Sequence, residues 1–331
     1  MFFLNRNKKK KYVSCDLIEH GMDFFSNSIN FCCRIPPTND GYTLRLIDEY
    51  NGEKINWKKF FKIKRKYREQ MKKGNIVPEC KNCIYLKEKE WDNEDYISFI
   101  NFNNWTICNE HCVYCWLNDA NRINPKQYNV FPIIQDMVKK GYFRGGGDIT
   151  IAGGEPCVAP EFDDLIKIFL ENNISTIRVL TNATKYSKIV EEGIASGKIY
   201  IIVSVDSGTQ ETFIKVKRKD FYDKVWENIA KYASVQPESD RVKTKFILIP
   251  NLNDTKEEID AWINKSIECG IKHLAFDIEM MWYNSNKNNL PESLFEIVEY
   301  TLDKIKENNL DVELIDRGVI ISKELEKRKK L

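Results

Sequence analysis

The chain has 331 residues, 42% hydrophobic and 30% charged, enough to bury a core and unlike disordered, collagen-like or membrane-embedded sequences. Its net charge of +2 is unevenly spread: residues 1–90 carry 20 Lys+Arg against 11 Asp+Glu, and the remainder is acidic. Ten cysteines, with no secretory leader and no apolar run of about 18 residues, point to a cytoplasmic setting where thiols serve metal or redox chemistry rather than disulfides.

The first expected unit spans residues 1–95. CDLIEHGMDFFSNSINFCC offers Cys15, a hairpin, and then the adjacent pair Cys32 and Cys33. Neighbours in extended chain point to opposite faces, so one of that pair is the expected ligand. The stretch WKKFFKIKRKYREQMKKG, residues 57–74, places Trp57, Phe60, Phe61, Tyr67 and Met71 at helical spacing among lysines and arginines. It reads as an amphipathic helix that packs its aromatics and solvates its charges. A nucleic-acid contact or an acidic peptide is the rival use of its basic face. PECKNC then sets Cys80 and Cys83 in a compact CxxC turn. Cys15, Cys32 or Cys33, Cys80 and Cys83 make four thiolates, enough to close a structural zinc site or to hold an iron–sulfur cluster.

The second expected unit spans residues 96–331. Short β-branched runs recur at 98–103, 148–154, 176–182, 199–208, 244–251 and 273–281, each closed by small or polar residues. Helical patterns alternate with them: VFPIIQDMVKK, FDDLIKIFLEN, YSKIVEEGIAS, FYDKVWENIAKYA and KEEIDAWINKSIE. This alternation predicts an α/β fold with a parallel sheet, a partial (β/α)6 TIM-like barrel. PESLFEIVEYTLDKIKENN adds a long helix and LDVELID a last strand. In such sheets chemistry sits at the C-terminal strand tips. CNEHCVYC, GGEPC, TNAT, SVDSG, PNLND and DIEMMW fall there in that order.

CNEHCVYC, residues 108–115, crowds three cysteines and a histidine together. A Cys112–Cys115 disulfide leaves Cys108 unexplained. Zinc needs His111 as a fourth ligand, yet His111 directly precedes Cys112 and neighbours rarely both reach one small ion. Cys108, Cys112 and Cys115 can instead hold three irons of a cubane, leaving the fourth iron open to a substrate or cofactor. Cys157, directly after GGEP, reads as a hydrogen-atom donor to a substrate radical or as a small buried residue. Asp277 and Glu279 share one side of the sixth strand by period two. They read as a substrate-amine ligand or general base, or as acids that pair with basic neighbours. Cys269, His20 and His273 are expected to be structural.

Cys108-x3-Cys112-x2-Cys115, with Tyr114 before the last cysteine, resembles the signature of radical S-adenosylmethionine (radical SAM) enzymes. Gly153-Gly154-Glu155-Pro156 after the second strand matches a further motif of that family, and the resemblance covers roughly residues 98–279. It implies a [4Fe–4S] cluster whose open iron chelates the amino and carboxylate groups of SAM. One electron then cleaves SAM to methionine and a 5′-deoxyadenosyl radical, which abstracts a substrate hydrogen. The resemblance also implies SAM contacts: Gly153, Gly154 and Glu155 at the amino group, Ser204 and Asp206 at the ribose, Asn182 at another strand tip, and Tyr114 near the adenine. A turn and helix cap is the rival reading of Asp206. The fifth strand lacks a glycine-bearing adenine motif. The N-terminal cysteines resemble SPASM or twitch auxiliary modules, which in most members follow the barrel and here precede it. They imply a second, auxiliary [4Fe–4S] cluster, with structural zinc as the alternative.

The expected function is reductive SAM cleavage, with electrons from a flavodoxin or ferredoxin, acting on a peptide or protein. The alternatives are dehydrogenation or epimerisation of a sugar or aminocyclitol, RNA modification through the basic helix, and a non-catalytic electron-transfer or scaffold role.

Overall fold

The computed structural model describes residues 10–32, 45–47, 49–81, 83, 85–117, 128–238 and 240–328. Cys33 lies outside them. The chain divides into two compact units: Met1–Thr106, Pro125–Gly154 and Asp164–Ile177 in one, and Ile107–Asn124, Glu155–Asp163 and Arg178–Leu331 in the other.

The first unit runs β1 (Lys10–Ser14), α1 (Asp16–His20), β2 (Gly21–Phe25), β3 (Ile29–Asn30), β4 (Arg45–Ile47), α2 (Trp57–Lys72), a 3-10 turn (Pro78–Cys80), β5 (Lys87–Trp91), β6 (Phe99–Asn103), α3 (Phe131–Lys139), β7 (Asp148–Ile151) and most of α4 (Phe162–Glu171). β1 and β5 form an antiparallel pair with Ser14 opposite Lys87. The other strands lie in the order β4-β3-β2-β6-β7, with β2 parallel to β6 and β6 parallel to β7. The hairpin expected after Cys15 is β2–β3, and its first strand also extends onto β6. Phe24 and Phe102 stack at 5.1 Å across that junction, both fully buried.

The basic stretch forms α2 and buries Trp57, Phe60, Phe61 and Met71 as its spacing predicts. The expectation that its charges are solvated needs correction. Lys64 and Arg68 are buried as well. Lys64 Nζ donates to the carbonyls of Gly21 (2.8 Å) and Leu17 (3.2 Å), and Arg68 to Glu94 O (2.8 Å) and Asp95 (2.5 Å). Long basic side chains can be buried where such acceptors await them.

The second unit holds the greater part of β8 (Thr176–Thr181), then α5 (Lys188–Ala195), β9 (Ile199–Ser204), α6 (Gln210–Lys217), α7 (Tyr222–Ser234), β10 (Val242–Leu248), α8 (Lys256–Glu268), β11 (His273–Ile278), α9 (Met280–Asn286), α10 (Glu292–Glu307), β12 (Asp311–Leu314) and α11 (Asp316–Arg328). Strand order is β8-β9-β10-β11-β12, and β9 to β12 pair in parallel. The α/β class with mostly parallel strands is therefore observed, and the last expected strand forms as β12. Three helices, α6, α9 and α11, were not expected. The sixth strand also stops earlier than its pattern suggests. Glu279 caps α9 by accepting from the N–H groups of Met281 (2.9 Å) and Trp282 (2.5 Å), so β11 ends at Ile278. Asp277 and Glu279 consequently do not share a strand face. Among the described residues no helix is long and apolar enough to cross a membrane.

Candidate active site

The cysteine loop of the second unit is gripped by the end of α6. His111 N donates to Lys217 O (3.1 Å), Val113 N to Val216 O (2.9 Å), and Cys115 N to Cys112 O (3.1 Å). Thr209 starts α6 by capping Thr212 N, and Arg218 ends it in the left-handed region at φ +55°. Lys217 Nζ donates to Asp206 (2.6 Å) and to the Tyr114 hydroxyl (3.1 Å), and that hydroxyl donates to Asp206. Asp206 accepts a further bond from Ile247 N at 2.8 Å. The Lys217 and Asp206 side chains are 1% and 0% exposed, so the pair is sealed from water. Burial opposes both charges, but their mutual attraction prevails: it holds the Lys217 ammonium well above its usual range, while Lys217 and then Lys245 hold Asp206 below the carboxylate range.

Cys108, Cys112 and Cys115 are half-buried and form no disulfide. Burial pushes Cys108 up to about 11 and Cys112 to about 12, and both feel Cys115 nearby. Between them Glu110 is 1% exposed. One of its oxygens takes a long contact from Cys112 Sγ (3.7 Å), and the other is buried without a partner.

Gly153 and Gly154 belong to the first unit. Gly153 takes φ +103°, and a Cβ there would stand 2.7 Å from Trp105 O. Only glycine allows that approach. Gly154 N donates to Trp105 O at 2.7 Å. In the second unit Glu155 N donates to Ile107 O (2.8 Å), beside the cysteine loop. Its carboxylate is fully engaged, accepting from Asn182 N (2.6 Å), Thr181 Oγ1 (2.7 Å) and Cys157 N (3.1 Å). Asn182 in turn donates to Asn109 Oδ1 (2.9 Å) and accepts from Thr184 N (3.0 Å). Glu155 thus ties the tip of β8 to the loop that carries the cysteines.

Ser204 ends β9, half-buried and in register with Lys245. Cys157 is 3% exposed, its sulfur 3.7 Å from Thr181 Oγ1. Asp277 is 3% exposed, pairs with Arg317 and accepts from Arg317 N (3.0 Å) and Gly318 N (3.1 Å). Glu279 is spent on the α9 cap. Tyr114 and Asp206 are therefore brought together, as are Glu155, Asn182 and Cys157, while Asp277 and Glu279 are engaged elsewhere. Lys217, Glu110 and Asn109 were missed from sequence. Lys217 hides in the charge run KVKRKD, where nothing separates it from its solvated neighbours.

In the first unit Cys15 follows β1 and caps α1, its sulfur accepting from Ile18 N (3.4 Å). Cys80 and Cys83 sit in the turn before β5, with Cys83 N donating to Cys80 O at 3.0 Å. The β1–β5 register brings the two segments together, and Cys83 acts on the ionisation of Cys15 while Cys15 and Cys83 act on that of Cys80. Cys32 is buried, and the ring of its neighbour Phe31 lies 4.6 Å from Lys64 Nζ.

Among the described residues no three His, Cys, Asp or Glu side chains converge on a single ion's position. An iron–sulfur cluster instead spreads its thiolates over separate irons. Three thiols on one loop, beside a buried ammonium, fit such an anionic group. Residues 105–263 match the Radical SAM superfamily. The chain is 30% identical over 159 residues to a GTP 3′,8-cyclase of Psychromonas ingrahamii, covering 48% of this chain and 46% of that protein. It is 28% identical over 203 residues to a GTP 3′,8-cyclase of Thermodesulfovibrio yellowstonii, covering 60% and 61%. The chain thus spans about half to three-fifths of these relatives' length. The crystal structure of Streptococcus suis SuiB bound to precursor peptide SuiA shares the fold, with TM-score 0.53 and 17% identity over 84% of this chain and 58% of that one.

Proposed function

Residues 105–263 are a radical SAM domain, and on that premise we propose that the chain is an enzyme that cleaves SAM reductively to generate a 5′-deoxyadenosyl radical. The observation that carries this reading is the cysteine loop, whose three thiols are held against α6 by backbone bonds and by the Lys217–Asp206–Tyr114 network. A [4Fe–4S] cluster bound there would supply the electron for reductive cleavage of SAM. Cys108, Cys112 and Cys115 are its ligands, and each gives up its thiol proton on loading. In the second unit Ser204 and Asn182 offer polar groups at strand tips, and in the first unit Gly153 and Gly154 leave their backbone open to close approach. Glu155 holds the β8 tip in place through its three donors. Cys157, Asp277 and Glu279 serve in this reading as scaffold, because their polar atoms are already engaged within the protein.

The test is anaerobic reconstitution followed by dithionite and SAM, with methionine and 5′-deoxyadenosine as readouts. Wild type should release both. Absence of cleavage in an iron-loaded protein would leave only an electron-transfer or scaffold role. A flavodoxin or ferredoxin should replace dithionite in a cytoplasmic enzyme.

A peptide or protein is the leading substrate. Its support is the fold shared with peptide-bound SuiB over 84% of the chain, beyond the matched domain. A purine nucleotide is the second reading, supported by the 30% identity to a GTP 3′,8-cyclase within the domain. Consumption of GTP alongside 5′-deoxyadenosine release would decide for the nucleotide. Cys15, Cys80 and Cys83, with Cys32 or Cys33, serve in this reading as ligands of an auxiliary [4Fe–4S] cluster in a SPASM- or twitch-like module of residues 1–95. Iron against zinc content tells a cluster from structural zinc.

A further inference from the structure

Lysine is almost never fully buried without a partner, and Lys217 has two, Asp206 at 2.6 Å and Tyr114 at 3.1 Å. Its own carbonyl, and that of Val216, hold the cysteine loop on either side of Cys112. One residue thus fixes the loop's backbone and places a positive charge beneath it. Three ionisable side chains surround it besides the thiols: Asp206, Glu110 in contact with Cys112, and Lys245, which acts on Asp206. The Lys217 ammonium lies 3.1 Å from the hydroxyl of Tyr114, the residue directly before Cys115.

We propose that Lys217 is a positioning residue whose buried ammonium raises the reduction potential of the cluster held by Cys108, Cys112 and Cys115, with Asp206 as the counter-charge that fixes it there. The proposal rests on the reading that this loop holds such a cluster. A cation beside a group that gains an electron favours the reduced form, and a buried one is screened little by salt. Net charge and hydrogen bonding are the levers by which a protein sets a cluster's potential. Asp206 then holds the lysine instead of the SAM ribose: its two oxygens are taken by Lys217, Tyr114 and Ile247 N.

The experiment is an EPR-monitored redox titration of the reconstituted full chain, with iron content, thermal unfolding and SAM affinity measured alongside. Lys217→Met should make reduction about tenfold less favourable, about 59 mV more negative for one electron. Asp206→Asn should shift the potential the opposite way, and the double variant should return towards wild type. Lys217→Arg, which keeps the charge, should stay near wild type. Should Lys217→Met fail to fold or load iron, Asp206→Asn and Lys217→Arg carry the test. Shifts in the same direction for both single variants would reveal general disturbance and overturn the proposal. So would unmoved potentials with iron retained, or an Asp206→Asn variant that loses SAM affinity at unchanged potential. A wild-type protein that loads no cluster removes the underlying reading as well, which separates the two failures.

Discussion

In the second unit Cys108, Cys112 and Cys115 share one loop, bonded along its backbone to the last turn of α6, whereas in the first unit Cys15 and the Cys80–Cys83 turn meet through the β1–β5 pairing. Each set has a buried lysine at hand, and the two lysines are treated differently. Lys217 has a carboxylate at 2.6 Å and is held in its charged form. Among the described residues Lys64 is hydrogen-bonded to two carbonyls and lies over the Phe31 ring, with Glu19 and Asp95 acting on it from further off, and burial pulls it down to about 7. Burial is common to both, so the hydrogen-bonded carboxylate decides whether attraction outweighs desolvation.

The strongest way to break this comparison is to delete each thiol set in turn. Cys108, Cys112 and Cys115 changed together to Ala should abolish 5′-deoxyadenosine formation and remove about four irons per chain. Cys15, Cys80 and Cys83 changed together to Ala should also remove about four irons, yet leave dithionite-driven SAM cleavage measurable. Equal loss of cleavage in both variants would mean that the two sets act as one. Unchanged iron in the second variant, with zinc present, would make the first unit's site structural. Glu155→Ala comes next in size. It strands the donors on Asn182, Thr181 and Cys157, and should cost roughly 3 kcal/mol in urea unfolding, with the loss read from the midpoint at constant slope.

How much of this was legible differs between the two units for a physical reason. The loop motif is local: Cys108, Cys112 and Cys115 are fixed by spacing alone, and the strand that leads into them is found where its β-branched run predicts. The support beneath is non-local. Lys217 and Asp206 are eleven positions apart, Lys217 in the last turn of α6 and Asp206 in the loop before it, and the helix sequence, QETFIKVK, carries a weak apolar stripe. Lys64 was misplaced for the same reason, since its acceptors are carbonyls at Leu17 and Gly21, and backbone carbonyls leave no mark in a sequence. Asp277 and Glu279 failed differently. The alternation continued on paper, but Glu279 reached forward to cap α9, and a cap outweighed the period.

A smaller effect probes buried ionisation without a full partner. His20 stacks on Tyr96 at 3.8 Å, with Nε2 3.4 Å from Asp92 and Nδ1 3.3 Å from Tyr96 O. Burial draws its pKa down to about 4, against Asp92 and with the help of Lys64 and Arg68. The unfolded chain, with an ordinary value of about 6.5, then binds this proton first. The contribution of His20 is complete above about pH 6.5 and is lost as the pH falls towards 4. The loss should reach about 2 kcal/mol by pH 5. Asp92, held below the carboxylate range, stays ionised through this window. Urea unfolding at pH 7.5 and 5 should show a smaller drop in His20→Phe than in wild type. Parallel drops would place the titrating group elsewhere.

The smallest change is Cys157→Ala, and it separates packing from chemistry. Cys157 is 3% exposed, and its sulfur lies against Thr181, which is itself bonded to Glu155. Removing one sulfur from a packed position costs about 1 kcal/mol, so the melting temperature should fall by a few degrees. A thiol that gives a hydrogen atom to a substrate radical would leave a second trace. In deuterated solvent, wild type would place deuterium in the product, and the variant would release 5′-deoxyadenosine without it. The buried position leads us to expect identical products, with stability alone affected. Loss of the label with undiminished SAM cleavage would move Cys157 from the scaffold into the reaction, and would make epimerisation the chemistry to pursue.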